Sequence, residues 1–177
     1  MSQNIDKIVA GYTAARDEAT VAQVHQYAVN VEWTGNTGPG TASYGGYRRD
    51  HEFTAGEKAA IAGSSDAKFR GDAARWNPEE LLVASLAGCH QLWYLHLCAA
   101  AGIRVMAYSD RAEGEMEETA DGGGRFTRVT LHPIVTVAAG TDLGKALQLH
   151  EEARLKCFIA SSVSFAVSHA ARIYEAA

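Results

Sequence analysis

Residues 77–102 read NPEELLVASLAGCHQLWYLHLCAAAG, and the reading of this stretch decides the fold. Asn77 is placed to cap a helix, because its side-chain oxygen can take an orphan backbone N–H of the first turn. Pro78 falls at the first helical position, where a missing N–H costs nothing. Glu79 and Glu80 set negative charge against the positive end of the helix dipole. Gly102 can close the helix in a left-handed conformation. Between these signals nearly every residue is apolar or small, which predicts a helix buried almost all round.

Cys89 lies in the middle of that helix, ten positions after Glu79. At 100° per residue the two stand within about 80° of each other around the axis and nearly three turns apart. They share adjoining faces, but a contact requires another element to fold across the N-terminal end. Cys89 shares its face with Ser85, Leu86, Leu92, Trp93 and His96, and Cys98 points the opposite way. A free cysteine in such a helix is most often a small buried hydrophobe; a reactive one needs access and a lowered pKa.

The chain has 177 residues, enough for one domain with a core. A net charge of −5 gives no reason to expect nucleic acid or an anionic membrane as partner. No apolar run reaches membrane-spanning length without polar interruption. The start, MSQNIDKIVAGYTAARDEAT, lacks the basic and apolar segments of a secretory signal, so a cytoplasmic protein is expected. Cys89, Cys98 and Cys157 form no C-x-x-C pair. They are read as thiols in a reducing compartment, with any disulfide transient and catalytic. No metal, nucleotide or flavin motif occurs, and no cofactor is expected. His90 and His96 are six apart on opposite sides of the helix and do not form a metal-binding pair.

Outward from the central helix the pattern alternates between two periods. Residues 1–25 read as a helical extension, with Ile5, Ile8, Val9 and Tyr12 on one side. From Tyr27 to Trp33 apolar and polar residues alternate, as in a half-buried strand. TGNTGPGT makes a turn, and a second strand is expected from about Ala42 to Phe53. On it Tyr47, Arg49, His51 and Phe53 face one way. Residues 54–76 form a long connection carrying Arg70 and Arg75. After Gly102, strands flank the glycine-rich turn ADGGG, and Pro133 marks a bulge or an edge. Thr141 or Asp142 caps a second helix that ends at Cys157, with His150 and Glu151 expected on its surface. A final strand closes the chain. This order gives an α+β fold with two small antiparallel sheets around two central helices. Two such sheets leave the apolar helix poorly covered, which points to a homodimer.

A thiol at a helix C-terminus gains nothing from the dipole. Cys157 is therefore a poor lone nucleophile but an adequate resolving thiol for an oxidised partner sulfur. The segments NPEELLVASLAGCH and EEARLKCFIASSV resemble the OsmC/Ohr family of thiol-dependent peroxidases (osmotically inducible protein C and the organic hydroperoxide resistance proteins). The resemblance spans roughly residues 26–175, within an OsmC-like domain at 26–177. It implies an intertwined homodimer with two sites that each draw on both subunits. It also implies Cys89 as the peroxidatic thiol, Cys157 as the resolving thiol, and Glu79 as partner of a catalytic arginine. In the family that arginine lies in the first β-hairpin, whereas residues 34–41 here contain none. Arg49, which shares a strand face with His51, is the first replacement, then Arg48, then Arg70.

The chemistry expected is reduction of an organic hydroperoxide by Cys89, condensation with Cys157, and recovery by a dithiol reductant. Leu86, Trp93 and His51 are the expected substrate-contacting residues. The alternative is a dimeric, non-catalytic binding protein for a small apolar ligand on the same fold.

Overall fold

The central helix forms where its signals place it. In the computed structural model, which describes residues 23–176, α1 runs Pro78–Ala100. The helical extension expected over residues 1–25 lies outside the described residues, apart from its last three. Asn77 Oδ1 accepts the Glu80 backbone N–H at 2.7 Å, and Glu80 Oε2 accepts the Asn77 N–H at 3.1 Å. This reciprocal cap satisfies two orphan donors at once, and caps of this kind contribute about 1 kcal/mol. Gly102, at φ 73°, turns the chain out of the helix.

Among the described residues nine strands form three three-stranded sheets rather than the expected two. The first sheet is antiparallel and joins β1 (Asn30–Trp33), β2 (His51–Thr54) and β3 (Ile61–Gly63) in that order. The second has β7 (Pro133–Val137) between β4 (Val105–Asp110) and β9 (Arg172–Glu175). The third has β6 (Gly124–Leu131) between β5 (Glu113–Glu118) and β8 (Ala166–His169). β8 pairs parallel to β6, and β9 parallel to β7, so two of the sheets are mixed. The difference has a local cause. Pro133 cannot donate to a ladder and starts a new strand, so the long apolar run divides at His132 and its halves join different sheets. The C-terminal strand divides in the same way, one half following each partner.

The second helix, α2 (Leu143–Lys156), is capped by Asp142, whose Oδ1 accepts the Lys145 N–H at 2.9 Å. It lies against α1 and the second sheet. There Tyr94, Cys98, Val135, Val137, Ala146, Leu149 and Ala153 form one core. Leu86 fills a second, smaller core with Val129 and Leu131.

The expected all-round burial of α1 does not occur within one chain. Leu86, His90, Tyr94 and Cys98, spaced four apart, form its one fully buried stripe, while Leu92 is 70% exposed. By length and composition alone Pro78–Ala100 is apolar enough to cross a membrane. It instead carries His90, Gln91 and His96 and packs a polar ring onto α2. Among the described residues nothing covers the edge strand of the first sheet: every residue of β1 is exposed, Val31 and Trp33 among them.

Candidate active site

The folding of α1 against α2 brings together two cysteines 68 positions apart in sequence. Cys89 is half-buried on the middle turns of α1, and Cys157 ends α2 at 1% exposure. Burial first, then the adjacent Cys89 side chain, push the Cys157 thiol up to about 11. Its sulfur also accepts the Ala160 N–H at 3.4 Å. The two sulfurs are therefore unequal. Cys157 is held protonated and shielded near neutral pH, and Cys89 is the one within reach of a small molecule. That asymmetry suits a first attack by Cys89 and a second by Cys157.

Trp93, one helical turn beyond Cys89, meets Phe158, the residue after Cys157, edge to face at 5.6 Å. Lys156 Nζ stands 5.7 Å from the Trp93 ring centre. Trp93 and Phe158 thus form an apolar flank beside the thiols. Leu86, expected with Trp93 as a substrate contact, is instead fully buried under β6. Its position on the Leu86–Cys98 stripe turns it inward, away from any ligand.

The arginines do not gather where the sequence suggested. β2 begins only at His51, so Arg49 lies in the loop before the strand and not on a strand face with His51. Its Nη1 donates to Tyr47 O at 2.7 Å and its Nη2 to Tyr44 O at 2.8 Å. Its guanidinium also sits 4.4 and 4.3 Å from the Tyr44 and Tyr47 ring centres. Arg48 pairs with the buried Asp50 at 3.2 Å. Arg70, at φ 66°, closes a 3-10 turn and stands 5.9 Å from the Tyr44 ring centre. Among the described residues none of the three is ion-paired to Glu79. Glu79 is half-buried at the mouth of a groove of about 1020 Å³ lined by Glu80, Val83, Ala87, Tyr108 and Phe126. Cys89 does not line that groove although Gly88 and Gln91 do, so the thiol is turned to another face of α1. His51 Nδ1 lies 2.9 Å from Arg49 O, and its ring packs edge-on to Phe53 and close over Gly63. His51 therefore belongs to the packing of the first sheet.

A polar group foreseen on the surface is in fact in the core. His150 is fully buried, its Nδ1 3.0 Å from Nε2 of the equally buried His90, and its ring is stacked on Tyr94 at 3.7 Å. His169 stands 5.5 Å from the His90 ring and 5.6 Å from the His150 ring. Burial first, then the neighbouring histidine rings, lower His150 to about 3; burial first, then His169, lower His90 to about 4. The spacing of Ala146, Leu149, His150 and Ala153 already marks the buried stripe of α2. Small residues on either side of His150 were the available signal. Among the described residues no set of three or more His, Cys, Asp or Glu is arranged to hold a metal ion.

The sequence profile of the OsmC-like proteins matches residues 71–171, more than half of the chain. The chain belongs to the OsmC-like family. An OsmC-like protein of unknown function from Vibrio cholerae has the same fold at 26% identity, with a TM-score of 0.76 over 84% of this chain and all of that one. An organic hydroperoxide resistance protein OsmC from Legionella pneumophila superposes with a TM-score of 0.61 at 18% identity, over 86% of this chain and 99% of its own. One from Elizabethkingia anophelis, with thiocyanate bound, gives 0.62 at 15% identity, over 88% of this chain and all of its own. At such identities the last two establish the fold alone. No protein of curated function matches the sequence. In this OsmC-like chain the family's matched segment contains both Cys89 and Cys157 and all of α1 and α2.

Proposed function

We propose that this OsmC-like protein is a thiol-dependent peroxidase that reduces organic hydroperoxides in the cytoplasm. The observation that carries this reading is the unequal pair of thiols, Cys89 accessible and Cys157 buried beside it. In the first step the Cys89 thiolate attacks the distal oxygen of ROOH. The O–O bond breaks, Cys89 becomes a sulfenic acid, and RO⁻ takes a proton to leave as the alcohol. Cys157 then attacks the Cys89 sulfur, a Cys89–Cys157 disulfide forms, and water leaves. A dithiol reductant supplies two electrons and two protons to restore both thiols. The Trp93–Phe158 flank favours a hydroperoxide with an apolar substituent over hydrogen peroxide.

Titration of free thiols before and after one equivalent of cumene hydroperoxide tests this. Two of the three thiols are expected to disappear, with Cys98 retained in the core and one equivalent of alcohol released. Three thiols still titratable after that treatment would sink the proposal.

The active unit in this reading is a homodimer. Support comes from the uncovered flank of α1 and the fully exposed β1, both apolar in part. Burying large apolar surfaces of this kind is the ordinary driving force for stable association. Equilibrium sedimentation at micromolar concentration is expected to give twice the chain mass of 18.9 kDa. A monomer that reduces hydroperoxide at full rate would remove the shared site.

A further inference from the structure

Among the described residues, the helices that carry the two thiols share one side-chain hydrogen bond. It joins His90 Nε2 on α1 to His150 Nδ1 on α2, at 3.0 Å in the core. His90 is the residue next to Cys89, and His150 lies seven positions before Cys157. At 1.5 Å rise per residue that places His150 about 10 Å along the helix axis from the second thiol. Around it α1 and α2 meet through the apolar packing of Tyr94, Cys98, Ala146, Leu149 and Ala153, with Lys156 over the Trp93 ring nearer the thiols. Apolar packing is largely non-directional, and a hydrogen bond in the same interface fixes one register.

We infer that the His90–His150 pair is the positioning element of the thiol couple, holding α1 and α2 in the register at which Cys89 and Cys157 meet. This rests on the reading of the two cysteines as a reacting pair. Neither histidine touches the sulfur chemistry itself. Each acts through the helix that bears its cysteine.

The surroundings of the pair explain why the device needs neutral rings. One ring must donate and the other accept, so at least one nitrogen between them must lack a proton. On α1 the pair faces Tyr94 and, through it, Cys98; on β4 it faces Tyr108; on β8, His169. Glu151 of α2 lies 3.6 Å from His169 Nε2 and is bound by Arg154, so its charge is directed outside the stack. Among the described residues no carboxylate stands against either buried ring to stabilise an imidazolium. His150 Nε2 has no partner among the described residues. With both rings protonated, no acceptor remains between them and the register is released.

The couple's effective concentration measures the register directly. In a glutathione buffer the reduced protein and one glutathione disulfide give the protein disulfide and two glutathione thiols. The equilibrium constant reports how well Cys89 and Cys157 are held together. His150→Phe keeps ring volume and the Tyr94 stack but removes the nitrogen. It is expected to lower that constant by at least about tenfold, in line with the cost of a small misplacement of reacting groups. His150→Asn and His90→Gln present an amide at the position of the bonded nitrogen, and they are expected to stay within about threefold of the original protein.

A folded His150→Phe protein with an unchanged constant overturns the inference. Should that variant not fold, a folded His90→Leu protein with an unchanged constant, or a folded His150→Asn protein whose constant falls tenfold, overturns it equally. The assay contains no hydroperoxide. A tight couple without peroxide reduction removes the proposed activity alone, and an active peroxidase indifferent to His150→Phe removes this inference alone.

Discussion

Cys89→Ser is expected to abolish hydroperoxide reduction, while Cys157→Ser stops it after a single turnover. A serine hydroxyl at Cys89 cannot be ionised at neutral pH by this setting, and oxygen is a weak nucleophile toward a peroxide. A fall of at least about a thousandfold, or about 4 kcal/mol in the barrier, is expected. Cys157→Ser leaves the first step intact because the accessible thiol is untouched. The sulfenic acid then persists on Cys89, without the buried thiol that should condense with it. A dimedone adduct on Cys89, one per chain, should accumulate in Cys157→Ser and remain low in the unsubstituted protein. One equivalent of alcohol per chain should appear as a burst, with no steady state after it. The difference between the two variants is the decisive quantity. Equal, partial losses would mean that neither sulfur is committed to its role. Retention of full turnover in Cys157→Ser would make the buried thiol structural.

The parts of this architecture written in local chemistry were readable from residue order. Asn77, Pro78, Glu80 and Gly102 mark the ends of α1 by capping and backbone preference, which act within a few residues, and each does so in the structure. Cys89 and Cys157 were singled out by their positions along two helices, and the packing of those helices brings the two side chains together. What the sequence left hidden depends on partners far along the chain. The third sheet arises because Pro133 ends one ladder and begins another, and because β8 and β9 each choose a parallel neighbour more than 30 residues away. No local pattern encodes that choice. Arg49 was assigned by strand alternation, yet the strand starts two residues later, and the guanidinium is taken by carbonyls and rings of its own loop. His150, expected on the surface of α2, is buried. Its burial is favoured by one hydrogen bond and one stacked ring supplied by α1, neither visible from α2 alone.

That buried pair also makes the whole fold acid-labile, and the expected loss is large. The unfolded chain holds both imidazoles near the ordinary value of 6.5, and the fold lowers His90 to about 4 and His150 to about 3. Below pH 6.5 the unfolded state therefore binds more protons than the native state. Stability is flat with respect to these groups above that value and falls as pH drops toward 4. Each group contributes about 1.4 kcal/mol per pH unit within the window. Two groups over the two units from pH 6.5 to 4.5 give up to about 5 kcal/mol, a large share of a typical domain's stability. Asp110 acts in the opposite direction. Burial raises its carboxyl above the ordinary range, so protonation there relieves a cost of the native state and offsets part of the loss. Urea unfolding at pH 7.0, 5.5 and 4.5, followed by circular dichroism, is expected to show a steadily falling midpoint. His150→Phe removes one of the two protons from the balance and should roughly halve the slope of stability against pH between about 6.5 and 4.5, whatever its effect at pH 7. A midpoint that stays level down to pH 4.5 would mean that the two rings are solvated or paired in a way that lets them charge without cost to the native state.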